Sequence, residues 1–254
     1  MKNSLGAHCD ELYVSGRLHL KLDLSLERET ALHFFERIRR EYPNMGRFRC
    51  RDGRTLILEE YGAEDRESDG SRWVRLDPRS LRFGFFEPAN EEECRRFGRF
   101  FFHQAPAHLT LSDLDIDHLD VVYSFDLEYR GNHDRLVAET LFADHPLASL
   151  LLGDDCAHTI DCQPYMGIAL TPECDVQAYV EVKGRTSTFE LRTSEYEAQL
   201  LTVQLTVRRY WGFGASPELG RAYEELLSTA TDLAARRAVP LVVNPLAQAI
   251  ASRP

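Results

Sequence analysis

Three groups of residues in this chain have the types and spacing that chemistry needs. The first is "DDCAHTIDCQPY", which sets Cys156, His158 and Cys162 close together, with Cys174 beyond. Zinc takes thiolate and imidazole at about 2.0–2.3 Å, so Cys156 and His158 form the candidate metal pair. Residues 158–162 read as a strand, which would hold His158 and Cys162 roughly 13 Å apart, too far to share one ion. A second close cysteine pair is missing, and buried free thiols are the commoner outcome for such residues.

The second group is "SDLDIDHLD", carrying Asp113, Asp115, Asp117, His118 and Asp120. Carboxylates at alternate positions suit hard cations. A calcium loop of the EF-hand type needs glycine at its sixth position and glutamate at its twelfth, and here those places hold His118 and Ser124. What remains is an Asp/His cluster that a catalytic acid or a metal could use, set against a plain polar strand.

The third group is arginine. Arg37, Arg39, Arg40, Arg47, Arg49, Arg51 and Arg54 crowd one helix end and the following hairpin. Guanidinium forks match phosphate and carboxylate geometry, so Arg37, Arg40, Arg47, Arg49, Arg51 and Arg54 are the candidate binding residues. Glu36, Glu41 and Asp52 stand among them and would equally balance a solvated face. Lys2, Lys21 and Lys183 are the only lysines, a bias that genome composition also produces.

Other motifs fail on their own terms. "WGFGASPELG" has the outline of a dinucleotide loop, but Pro217 occupies the third glycine's place. Cys94 sits in a first helical turn behind Glu91, Glu92 and Glu93, which oppose a thiolate. The chain carries neither G-x-S-x-G, a P-loop nor H-E-x-x-H.

The elements that must position these groups follow from periodicity. Leu18, Leu20, Leu22, Leu24 and Leu26 alternate with polar residues, which predicts a half-buried strand. "ETALHFFERIRREYP" follows with a helical apolar stripe ending at Pro43. Next come "RFRC" and "TLILEE" around Asp52-Gly53, a hairpin signal, then "RWVRL" and "LRFGFFEP" around "DPRS". "GAEDRESDG" between the hairpins reads as a charged loop. Asn90 caps a helix, with Glu93 at capping-box spacing.

The order then recurs. Leu119, Val121, Tyr123, Phe125, Leu127 and Tyr129 alternate with His118, Asp120, Ser124, Asp126 and Glu128. Asn132 caps a helix through Leu136, Val137 and Leu141. Strands are expected in "HTIDCQPYMGIAL", "VQAYVEVKG", "STFELR" and "LLTVQLTVRRYW". Ser216-Pro217 opens a last amphipathic helix, which Pro240 should end near Arg237. "PLVV" beyond it is expected to lie extended against the body or a second copy, because its apolar side chains are too many to leave in water.

The expected fold is therefore α+β: two tandem β-α-β4-α halves, residues 1–110 and 111–238, related by a pseudo-twofold. Antiparallel sheets would carry helices on one face, and residues 239–254 would form a docked apolar tail. The plan resembles that of the TATA-binding-protein-like and helix-grip folds, a topological likeness that carries no function. The uncovered face would present His19, Lys21, Asp23, Asp120, Asp126, Glu128, Gln177, Tyr179, Glu181, Lys183, Gln204, Arg208 and Tyr210.

Composition bounds the function. The chain has 254 residues, 43% hydrophobic and 28% charged, with net charge −11. That acidity disfavours general nucleic-acid or membrane-surface binding. Neither a spanning apolar run nor a signal-like start is present, and six cysteines are too few for a disulfide framework, so a cytoplasmic setting with reduced thiols is expected. The reading is a non-enzymatic intracellular binding or assembly module using its broad polar sheet face, with a protein partner, no cofactor, no membrane, and a homo-oligomer as an option. The alternative is RNA or a phosphate ligand on the arginines of residues 37–54. A second alternative is an enzyme or metal-binding protein using the Asp/His or Cys/His clusters.

Overall fold

The computed structural model describes residues 4–24, 27–61, 71–153, 158–212 and 217–253. The fold is α+β, built on one nine-stranded antiparallel sheet in the order β2-β3-β4-β5-β1-β6-β9-β8-β7. The first block contains β1 (Glu11–Leu20), α1 (Arg28–Glu41), β2 (Met45–Arg51), β3 (Thr55–Glu60), β4 (Ser71–Asp77), β5 (Ser80–Phe86) and α2 (Glu91–Leu109). The second contains β6 (Ile116–Tyr129), α3 (His133–Leu141), α4 (Ala148–Leu151), β7 (Tyr165–Ala169), β8 (Val176–Lys183), α5 (Thr188–Thr193), β9 (Gln199–Tyr210), α6 (Leu219–Leu233) and α7 (Asn244–Ala251).

Alternation sorts every central strand into two faces. Along β1, Leu12, Val14, Leu18 and Leu20 are buried while their neighbours are half-wet. Phe83 and Phe85 on β5, Val121, Tyr123 and Phe125 on β6, and Val203, Leu205 and Val207 on β9 point the same way and are buried. Helices α1, α2 and α6 cover that face. Phe34, Phe97, Phe101, Phe102 and Tyr223 from these helices pack with Phe83 into one aromatic core. Gly16 belongs to this face because Phe83 approaches it: a Cβ there would stand 2.7 Å from the ring.

Local signals explain several boundaries. Asp52 (φ 52°) and Gly53 (φ 66°) both adopt the left-handed conformation that the β2–β3 hairpin requires. Asn90 accepts a hydrogen bond from the Glu93 amide at 2.9 Å and starts α2, and Asn132 does the same for α3 through the Arg135 amide at 3.0 Å.

The structure corrects four expectations. The first strand is residues 11–20, not 18–26. Alternation does run on through Leu22, but the sheet ends first and Leu22 is 67% exposed. "STFELR" is helix α5 rather than a strand, so the second block has three strands after its first helix, not four. Ser187 and Glu190 form a reciprocal capping box there, which outweighs the β-branched residues around it. Residues 158–164 are not a strand, and β7 begins only at Tyr165, after Pro164. That segment is instead held to the start of α3: the Asn132 side-chain amide donates to the Thr159 carbonyl, and the Cys162 amide to the Asp134 carboxylate.

The fourth correction is the tail. It is helical as far as Ala251: Ala234–Val243 forms a π-helical stretch that runs into α7. Pro240 sits inside this wide stretch, whose register absorbs its missing N–H. Val239, Val243 and Leu246 are buried, and Leu241 is exposed. The charged loop expected at residues 62–70 and the cap expected at Ser216 lie outside the described residues. Among the described residues, no helix is long and apolar enough to cross a membrane.

Candidate functional site

Opposite the helices, the sheet presents a charged face whose centre is the seam between β1 and β6. Antiparallel register places directly opposed residues on one side of a sheet. Following it across the strands gives a single line: Arg49, Ile57, Arg75, Arg82, Arg17, Asp120, Arg208, Gln177. Strands lie about 4.8 Å apart, so Arg75 to Arg208 spans roughly 19 Å. Like charges set directly opposite each other repel. Here Arg75, Arg82 and Arg17 follow one another without an intervening acid in the line.

Two aspartates offset that repulsion. Asp77 accepts from Arg75 Nε at 2.9 Å and from Thr55 Oγ1 at 2.9 Å, and lies 3.9 Å from Arg82 Nε. Burial raises the Asp77 carboxyl, but its bonds to Arg75 and Thr55 outweigh this and hold it below the usual carboxylate range. Asp120, only 4% exposed, takes a bidentate fork from Arg208, Nε to Oδ1 at 2.7 Å and Nη2 to Oδ2 at 2.9 Å. Burial again pushes upward, and the pairing with His19 and Arg208 pulls the Asp120 carboxyl below its ordinary value. Burial, then Arg82, push the Arg17 guanidinium down to about 10, which leaves it charged at neutral pH.

Next to this line stands a histidine pair. His19 on β1 is opposite His118 on β6. Their rings stack with centroids 3.9 Å apart and planes at 19°. His19 Nε2 lies 3.2 Å from Asp120 Oδ2, within ion-pair range but out of line for a hydrogen bond, and His118 Nε2 lies 3.8 Å from the same oxygen. Burial lowers the His118 pKa below its ordinary value, with His19 and Arg208 acting the same way against Asp120. Arg17 Nε, His19 Nε2 and His118 Nε2 are buried without a hydrogen-bond partner among the described residues.

Aromatic side chains flank the charges. Trp73 lies over Gly84, where a Cβ would come within 2.5 Å of its ring. Tyr13 meets Phe86 at 5.0 Å. On the other flank Tyr165 and Tyr179 stack at 5.4 Å, and the Arg208 guanidinium lies 5.6 Å from the Tyr179 ring and 5.8 Å from that of Tyr210.

The arginines singled out by sequence are divided between the two sides of the sheet. Arg47, Arg49 and Arg51 alternate with Phe48 and Cys50 along edge strand β2, on the open face, and Arg49 Nε lies 3.1 Å from Glu59 Oε2. Arg37 and Arg40 belong to α1 on the covered side. Arg37 bonds Gln104 at 3.3 Å and lies 4.9 Å from the Phe100 ring, while Arg40 is exposed. Arg54 lines a cleft of about 620 Å³ with Asp23, Arg28, Phe48 and Cys50.

Of the candidate metal pair, Cys156 lies outside the described residues and His158 is exposed. Among the described residues the three potential metal ligands that converge are His19, His118 and Asp120, one ligand atom of each within 4.8 Å of the others. Sequence alternation assigned His19, Asp120, Arg208, Tyr179 and Tyr210 to the uncovered face. It passed over Arg75 and Arg82, whose signal is an arginine alternating with apolar residues in "RWVRL" and "LRFGFF".

The chain matches no protein-family model, and comparison with curated proteins finds no match.

Proposed function

We propose that this protein is a non-enzymatic binding or assembly module whose open sheet face holds the carboxylates or phosphates of a protein partner. The observation that carries this reading is the arginine line, with Arg17 Nε buried and unpaired beside Arg82. Among the described residues Arg75, Arg82, Arg17 and Arg208 meet two aspartates, Asp77 and Asp120, so the line keeps a local positive excess within a chain of net charge −11. An anion seated there would satisfy the Arg17 donor and relieve the like-charge repulsion. The overall negative charge turns away polyanions that lack a complementary shape. Arg47, Arg49 and Arg51 extend the same surface to the sheet edge.

The strand order supports the view that this face lies on a pseudo-twofold seam. Outward from the β1–β6 pair it is β5-β4-β3-β2 on one side and β9-β8-β7 on the other. Superposing residues 12–108 on 114–238 tests that relation.

The test of function is affinity capture from the native cell, with mass spectrometry, using wild type and the Arg17→Gln/Arg82→Gln variant. The expected result is a partner held by wild type, released by raised salt and lost by the variant. A partner held equally by both would place binding elsewhere.

A second reading draws on the flanking aromatics. Trp73, Tyr13, Tyr165, Tyr179 and Tyr210 around a basic line have the composition of a single-strand nucleic-acid platform, where bases stack and arginines meet phosphates. A salt-sensitive mobility shift with unstructured RNA, reduced by Trp73→Ala, would favour this reading over the first.

A further inference from the structure

The histidine pair holds chemistry that the arginine line does not need. His118 Nδ1 lies 2.9 Å from Asp117 Oδ2. An ionised carboxylate only accepts, so the proton of a neutral His118 sits on Nδ1 and Nε2 carries a bare lone pair. That lone pair is buried, with no donor to meet among the described residues, and His118 as a whole is 8% exposed. Buried polar atoms left without any partner are few in folded proteins and call for an explanation. His19 Nε2, across the seam, is also buried without a hydrogen bond among the described residues, 3.2 Å from Asp120 Oδ2.

We propose that His19, His118 and Asp120 form a binding site for a divalent transition metal ion of the zinc type. Two imidazoles and one carboxylate are ligands of intermediate softness, which suit zinc and its neighbours better than the all-oxygen shells of magnesium and calcium. A tetrahedral centre with bonds of about 2.0–2.1 Å holds its ligands about 3.3–3.4 Å apart. Asp120 Oδ2 stands 3.2 Å from His19 Nε2 and 3.8 Å from His118 Nε2, and one ligand atom of each residue lies within 4.8 Å of the others; binding requires the two rings to swing out of their stack so that both lone pairs aim at one centre. Asp117 behind His118 completes a carboxylate–histidine–metal arrangement, which fixes both the tautomer and the ring plane. Arg208 clamps the Asp120 carboxylate in place through its two bonds. Its charge, with that of Arg17, lowers the affinity below that of a site free of neighbouring cations.

The inference does not rest on the anion-binding reading, because the ion alone is the probe. Full-length protein is stripped with chelator, titrated with Zn²⁺ by calorimetry and with Co²⁺ by visible absorption. The background is the Cys50→Ser/Cys174→Ser variant, which removes the two exposed thiols among the described residues. The expected result is one equivalent bound, with Co²⁺ d–d bands and no thiolate charge-transfer band. His118→Ala should weaken binding by more than about a hundredfold and Asp117→Asn by about tenfold, outer-shell partners commanding about 10–100-fold. Arg17→Gln/Arg82→Gln, which should abolish partner capture, should leave the ion bound at least as tightly.

Absence of saturable binding would overturn the proposal. So would a thiolate spectrum, or His118→Ala and His19→Gln proteins that bind like wild type. Should His118→Ala fail to fold, His19→Gln, at the more exposed of the two positions, and the Co²⁺ spectrum of the parent still decide.

Discussion

The two faces of the central sheet are made by the same strands, yet they differ in every property except length. On the covered side, Leu12, Val14 and Leu18 of β1 meet Phe83, Tyr223 and their neighbours, and water is excluded. On the other side, Ser15, Arg17 and His19 of the same strand meet Arg82, Asp120 and His118. One side satisfies itself: its aromatic rings fill their own space. The other does not, because the strand order brings four arginines and two imidazole nitrogens without a hydrogen bond together with two aspartates among the described residues. Side chains that complete one another make a core, and side chains left incomplete by their neighbours invite a ligand.

Substitutions can break that contrast. The largest expected effect is on the covered side. Phe83 is fully buried and packs against Phe97, Phe101, Phe102 and Tyr223, so Phe83→Ala should cost about 3–5 kcal/mol of stability in a denaturant titration. A loss under 1 kcal/mol would mean that this core is not where the fold is held. Next comes Asp120→Asn, which leaves Arg208 and Arg17 uncompensated. The cost should fall near the lower end of about 3–5 kcal/mol for breaking a buried pair, because Arg208 keeps some contact with water. A neutral outcome would mean the open face is wetter than its geometry implies.

A smaller effect is the pH response of Asp77. Its carboxyl is held below the usual range, so it contributes stability at neutral pH that is lost as pH falls below about 4 through its folded pKa. Thermal melts of Asp77→Asn should be lower than wild type at pH 7 and converge with it in acid. Parallel curves would count against that pairing. The smallest effect on stability is charge reversal at Arg47, Arg49 and Arg51, which should shift it by less than about 0.5 kcal/mol while weakening capture of the partner. A large loss of stability with unchanged capture would make the β2 edge structural.

The fold class, most strands and the polar identity of the open face were legible in the sequence, because period-two alternation in "HLDVVYSFDLEY" and "LLTVQLTVRRYW" needs no tertiary knowledge. The arginine line was not legible. Arg82, Arg17, Asp120 and Arg208 are neighbours only because β1 lies between β5 and β6, and β6 beside β9, an order that no local pattern encodes. The histidine pair was hidden for the same reason: His118 was visible among its aspartates, but its partner His19 lies in another block. Where local reading fails, two local signals compete. Ser187 with Glu190 spells a helix start inside an apparent strand, and leucine alternation runs on to Leu26 although β1 ends at Leu20.

The central claim is that the open face, and not surface arginine in general, carries binding. It is tested most directly by measuring the affinity of the captured partner for two variants of equal charge change, Arg17→Gln/Arg82→Gln on the open face and Arg39→Gln/Arg221→Gln on the exposed surfaces of α1 and α6. The account predicts a loss of more than about tenfold, or 1.4 kcal/mol, for the first and wild-type affinity for the second. Equal losses, or a loss confined to the helical pair, would contradict it.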